Sequence, residues 1–183
     1  MRTYDPGDIV ALATPPGLGA LDVVRLSGPD LNSTYRAFSH KDPKDRRAVF
    51  SKIYHPQSNK LLDEAIITYF KSPNSFTGED VIEITCHGGA VVSRSIIMAA
   101  LDSGMRNADP GEFSFRAFLN GKIDLLQAEA VSSLISSKSE LSASVSLGHL
   151  LGRVSTVLFN IRNDALNILS IIENELDFSE NEL

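Results

Sequence analysis

Residues 73–89, PNSFTGEDVIEITCHGG, leave this chain few ways to fold. Pro73-Asn74 and Thr77-Gly78 are turn formers. Val81 to Cys86 alternates like a strand, with Ile82, Ile84 and Cys86 on one side and Glu83 and Thr85 on the other. His87-Gly88-Gly89 then allows a sharp backbone turn into the apolar helical pattern of Ala90 to Leu101. A strand, a glycine turn and a helix start in succession leave backbone N–H groups that suit an anionic or polar ligand, with a carboxylate beside them. The plainer alternative stands next to it: such turns are common connectors, and His87 could simply bond a neighbouring loop. Cys86 reads as a small buried hydrophobe. As strand neighbours, Cys86 and His87 point their side chains apart, so these two do not form a Cys/His catalytic pair.

Strands are expected at 8–13 and 20–27, separated by the turn Thr14-Pro15-Pro16-Gly17-Leu18-Gly19, and a short helix from Pro29 through Phe38. Strands at about 48–54 and 62–71 flank His55-Pro56-Gln57-Ser58-Asn59-Lys60 and form a hairpin. A further helix starts at Pro110, with Asp109 as N-cap and Glu112 at N3, and closes at Asn120-Gly121. Strands with interspersed helices describe an α+β domain ending near residue 120.

From residue 121 the pattern is helical throughout. Asp124 and Gln127 make a second capped start, and Ser136, Ser137 and Ser139 interrupt it. A long helix then runs to about Leu176. Its residues Val154, Leu158, Ile161, Ala165, Ile168 and Ile172 form a seam of alternating four- and three-residue steps. A lone helix cannot bury such a seam, so either a second copy or further chain must cover it. The ending at Asn181-Glu182-Leu183 favours a fragment.

Charge divides at the same place. Residues 1–122 are balanced, whereas 123–183 carry 3 Lys/Arg against 9 Asp/Glu, the whole net charge of −6. The acidic part is a poor surface for phosphate backbones. One cysteine permits no internal disulfide, and MRTYDPGD lacks the apolar core of a secretion signal, so a reducing, cytoplasmic setting is expected. No apolar run reaches membrane-spanning length, so no membrane partner is expected. No Gly-x-x-x-x-Gly-Lys-Ser/Thr loop, metal-ligand spacing or Gly-x-Ser-x-Gly occurs. Residues 1–183 alone are thus expected to hold no NTPase, zinc or serine-hydrolase site: no catalytic residue and no metal.

Three blocks carry a resemblance: ATPPGLGALDVVRLSG at 13–28, PNSFTGEDVIEITCHGG at 73–89 and PGEFSFRAFLNGKIDLLQAEA at 110–130. In order and spacing they resemble the tRNA-modification GTPase family MnmE (TrmE), and the resemblance extends over the whole chain to the acidic DFSENEL ending. It implies an α+β fold: a mixed-sheet domain at 1–120, similar to the tetrahydrofolate-binding domain of aminomethyltransferases, then an all-α segment at 121–183. The latter would be the first helices of a helical domain whose inserted GTPase domain and later helices are missing. The family homodimerises through its amino-terminal domain and works with an FAD-containing MnmG-type partner. Together they add a carboxymethylaminomethyl-type group to C5 of the wobble uridine of certain tRNAs. The one-carbon donor is a tetrahydrofolate derivative, 5-formyl or 5,10-methylene, and GTP hydrolysis with potassium and magnesium drives the complex.

Arg25 in VVRLSG, Glu83 in EDVIEI and Lys122 in LNGKID match the family's folate contacts. The chemistry fits separately: a carboxylate accepts paired hydrogen bonds from a pterin edge, and a cation neutralises a glutamate tail. Arg25 could equally be an outward strand residue, and Lys122 a solvated residue after a helix cap. Leu18 stands where the family usually has arginine, and Asp109 and Phe115 also depart from its pattern. Two other functions stay open, a dimerisation scaffold without ligand binding and a free-standing one-carbon transferase.

Overall fold

A computed structural model describes residues 5–180. The chain divides into two compact units, Met1–Lys122 and Ile123–Leu183. MRTY and the final NEL lie outside the described residues, as do the side chains of the acidic ending.

The first unit is a six-stranded mixed sheet with helices, an α+β fold. Its strands are β1 (Ile9–Leu12), β2 (Leu21–Gly28), β3 (Ala48–Tyr54), β4 (Leu61–Phe70), β5 (Asp80–His87) and β6 (Arg106–Asn107). Their order across the sheet is β3-β4-β5-β2-β1-β6. All neighbours are antiparallel except β1 and β6. Helices α1 (Asn32–Ser39) and α2 (Ala90–Asp102) cover one face. There Val24, Leu26, Ile67, Ile82 and Ile84 pack with Tyr35 and Phe38 of α1 and Ile96, Ala99 and Ala100 of α2, all fully buried. Strand alternation puts every second residue of β2 and β5 on this core, as expected for Ile82, Ile84 and Cys86. The opposite face carries Arg25, Glu83 and Thr85, and exposes Phe50, Ile66 and Leu21.

Two helix starts differ from expectation. α1 begins at Asn32 rather than Pro29, because the Asp30 carboxylate accepts from the Asn32 N–H at 3.0 Å and holds 29–31 in a turn. α3 (Glu112–Leu119) begins after Gly111, whose left-handed conformation (φ 76°) ends the turn started at Asp109. Half of the expected capping box is present, since Glu112 Oε2 accepts from the Asp109 N–H at 2.8 Å. Asn120 caps the far end, as expected.

The second unit is all helical: α4 (Leu125–Ile135), α5 (Glu140–Leu150) and α6 (Arg153–Glu180). The Asp124/Gln127 capping box is complete, both bonds at 2.9 Å. The single long helix expected after the serine break is two, divided at Leu151-Gly152, where Gly152 is left-handed (φ 75°). On α6, Leu158, Ile161, Ile168 and Ile172 are each at least half exposed, so this part of the seam has no cover among the described residues. No described helix is long and apolar enough to cross a membrane.

Candidate functional site

The centre of the open sheet face holds an ion pair. Arg25 and Glu83 are direct partners across β2 and β5. Arg25 Nε donates to Glu83 Oε1 at 2.8 Å, and its Nη2 lies 2.7 Å from the same oxygen. Both side chains keep nearly a third of their surface, 29% and 28%. Nη1 of Arg25 and Oε2 of Glu83 have no partner among the described residues, which leaves a donor and an acceptor side by side.

Two aromatic rings wall the pair. Phe76 lies 5.8 Å and Phe113 5.7 Å, ring centroid to guanidinium carbon, from Arg25. Each ring is held there by a buried polar network. Ser27, two residues along β2, donates to Glu79 Oε2 at 2.9 Å, so the Thr77 hydroxyl 2.8 Å away must donate to Ser27. These bonds fold the 73–79 loop onto the sheet and bring Phe76 over Arg25. Arg116 of α3, fully buried, donates to the same Glu79 oxygen at 2.9 Å, to Glu112 Oε1 and to the Gly7 carbonyl. That tie fixes α3, and Phe113 with it. Arg106 adds two bonds to Glu112, at 2.6 and 2.8 Å. The Arg106 hydrogen bonds, followed by those from Asp109 and Arg116, hold the Glu112 carboxyl down at about 2 against the burial that opposes ionisation.

Lys122 joins the group through the loop. Its ammonium donates to the Pro73 carbonyl at 2.9 Å, while Asn120 donates to Thr77 O at 2.7 Å. Gly78 makes this fit possible: it is left-handed (φ 81°), and a Cβ there would sit 2.9 Å from Asn120 Cβ and 3.1 Å from Lys122 Cγ. Arg25 and Glu83 therefore touch, and Lys122 braces the loop that covers them.

The glycine turn behaves otherwise than expected. Its N–H groups are not available to a ligand. His87 N–H is taken by Asp63 at 2.9 Å, Gly88 N–H by the Ala20 carbonyl at 2.9 Å and Gly89 N–H by Asp22 at 3.3 Å. Gly88 is there because a Cβ would lie 2.0 Å from Gly19 O, so two backbones meet at this point. The turn is thus a connector, and His87 bonds a neighbouring strand through Asp63. Cys86 is buried, and burial pushes its thiol up to about 11, which leaves it protonated and unreactive at neutral pH. Of the adjacent carboxylates, Glu79 faces Arg116, and Asp80 takes Tyr69 OH and the Leu31 and Ser72 N–H groups, so both are structural. Leu18 is fully exposed on its turn. The sequence motifs do not point to Phe76, Phe113 or Arg116. For Arg116 the one available signal is its four-residue spacing from Glu112.

A mixed sheet bearing such a walled ion pair, followed by a separate helical unit, defines a two-part class. Residues 8–122 match the family model described as GTP-binding protein TrmE N-terminus, and residues 125–183 match the MnmE helical domain. The chain belongs to the MnmE (TrmE) family. A relative named tRNA modification GTPase MnmE from Flavobacterium johnsoniae is 46% identical over 96% of this chain and 39% of its own length. Those of the same name from Chlorobium chlorochromatii and Wolinella succinogenes are 44% and 43% identical, over 99% and 97% of this chain and 40% and 39% of theirs. The chain thus spans about two fifths of the curated relatives it matches.

Proposed function

We propose that this chain is the amino-terminal part of a cytoplasmic tRNA-modifying GTPase, and that its sheet domain (1–120) binds a tetrahydrofolate one-carbon donor, 5-formyl or 5,10-methylene. The observation that carries this reading is the Arg25–Glu83 pair, half open between Phe76 and Phe113 in a domain of this family. A pterin is a flat ring with a donor edge. The unpartnered Glu83 Oε2 can accept from that edge, Arg25 Nη1 can donate to a ring or tail oxygen, and the two phenyl rings can flank an apolar surface. The folate, when bound, supplies the one-carbon unit; the protein residues bind and orient it. Lys122 offers a cation for the glutamate tail if it exchanges its Pro73 bond for that carboxylate.

The rest of the activity lies with parts outside residues 1–183. A GTPase domain using GTP, magnesium and potassium, and later helices covering the α6 seam, would complete the protein. As a homodimer with an FAD-containing MnmG-type partner it would install a carboxymethylaminomethyl-type group at C5 of the tRNA wobble uridine. The exposed Phe50, Ile66 and Leu21 on the open sheet face support dimer formation through the first unit.

One observation favours the scaffold reading instead: Arg25 and Glu83 are already paired with each other, and Lys122 with the loop. Binding of 5-formyltetrahydrofolate by equilibrium dialysis separates the two. Glu83→Ala should weaken it by more than about tenfold, since a charge-assisted contact is lost. Unchanged affinity removes Glu83 from the site, and no binding by the unaltered protein leaves the scaffold.

A further inference from the structure

On the helix-covered side, remote from the open sheet face, a groove of about 510 Å³ runs between the β3–β4 turn and α2. We propose that it docks a partner protein through a segment of apolar side chains flanked by Asp or Glu. Leu62, Val91 and Met98 line it, with Val91 79% and Met98 47% exposed. Val91 and Met98 lie about two turns apart on α2, and the unbranched thioether lets that wall adapt to an inserted side chain.

Charge selects the partner. Lys60 and Arg94 both line the groove, and neither side-chain cation has a partner among the described residues. The nearby carboxylates are committed elsewhere. Asp102 pairs with the lining His55 at 3.2 Å. Asp63, next to Leu62, accepts from the His87 backbone and ring at 2.9 and 2.8 Å. Two positive charges at an apolar wall are therefore left uncompensated, and an acidic segment would answer both. Nucleic acid fits less well: a phosphate backbone gains nothing from covering Leu62, Val91 and Met98, and two cations are few for one. The proposal stands apart from the folate reading, since no residue is shared.

The test is selection of random linear peptides on the 1–183 protein. The enriched sequences are then measured against two variants, Lys60→Glu/Arg94→Glu and Val91→Asp, each checked for native far-ultraviolet dichroism. All three substituted side chains are exposed, so folding should survive. Enriched peptides should pair Leu, Phe or Trp with Asp or Glu and lose at least about tenfold in affinity on each variant. The loss on the charge variant should shrink with added salt, and that on Val91→Asp should not. Peptides that both variants bind unchanged, or failure to enrich any, would overturn the proposal. So would a tRNA transcript whose binding falls with the charge variant alone, which would assign the groove to phosphate.

Discussion

Replacing Glu112 by Gln tests whether the buried polar network that fixes α3 contributes as its geometry says. The carboxylate is 6% exposed and receives bonds from Arg106, Arg116 and the Asp109 N–H. Its pKa falls from the ordinary 4.5 to about 2. At 1.36 kcal/mol per unit, ionised Glu112 contributes about 3 kcal/mol to the folded state. The sign follows from the depressed folded value: the contribution is complete above the unfolded pKa and disappears as pH falls toward 2. Gln keeps the shape but not the charge, and takes one ionised partner from the buried Arg116, which keeps its pairing with Glu79. At pH 7 the urea midpoint should therefore drop by about 1–3 M for a slope of about 1–3 kcal/mol/M. All four tyrosines lie in the first unit and tryptophan is absent, so tyrosine emission follows that unit. Repeated at lower pH, the gap between the two proteins should close between about pH 5 and pH 2. A gap below about 1 kcal/mol at pH 7, or one that does not change with pH, would mean that the ionised Glu112 does not hold α3 in place.

Gly88→Ala should cost about 1–3 kcal/mol or more, because its Cβ would collide with a backbone carbonyl that cannot rotate away; thermal melts of the sheet unit check this. Asp124→Ala removes a complete capping box and should lower the stability of the helical unit by about 0.5–2 kcal/mol, read by dichroism melts, while leaving the tyrosine-reported transition in place.

The sheet was legible where the pattern was local. Alternation in β5 placed Ile84 inward and Glu83 outward, and Asp124 with Gln127 marked a helix start, because both signals are complete within a few residues. What failed depended on distant partners. The glycine turn looked open until Asp63 and Asp22, from other strands, took its N–H groups. The start of α3 lies later than expected because the left-handed Gly111, not Asp109, is the residue at its boundary. The break at Gly152 is hidden in the sequence because Leu151 and its neighbours keep an apolar pattern through it. Arg116 is fully buried, rare for a charge, because Glu79, 37 residues away, and Glu112 converge on it. Arg25 and Glu83 were found by motif, but that they pair with each other follows only from the register of β2 against β5.

The most direct test of the central claim is a calorimetric titration of 5-formyltetrahydrofolate into the 1–183 protein beside an Arg25→Ala/Glu83→Ala variant. Substituting both partners leaves no unpaired charge behind, so the variant should fold. A folate site at this pair gives saturable heat for the unaltered protein and none for the variant. Equal heats from both, or none from either, would contradict it.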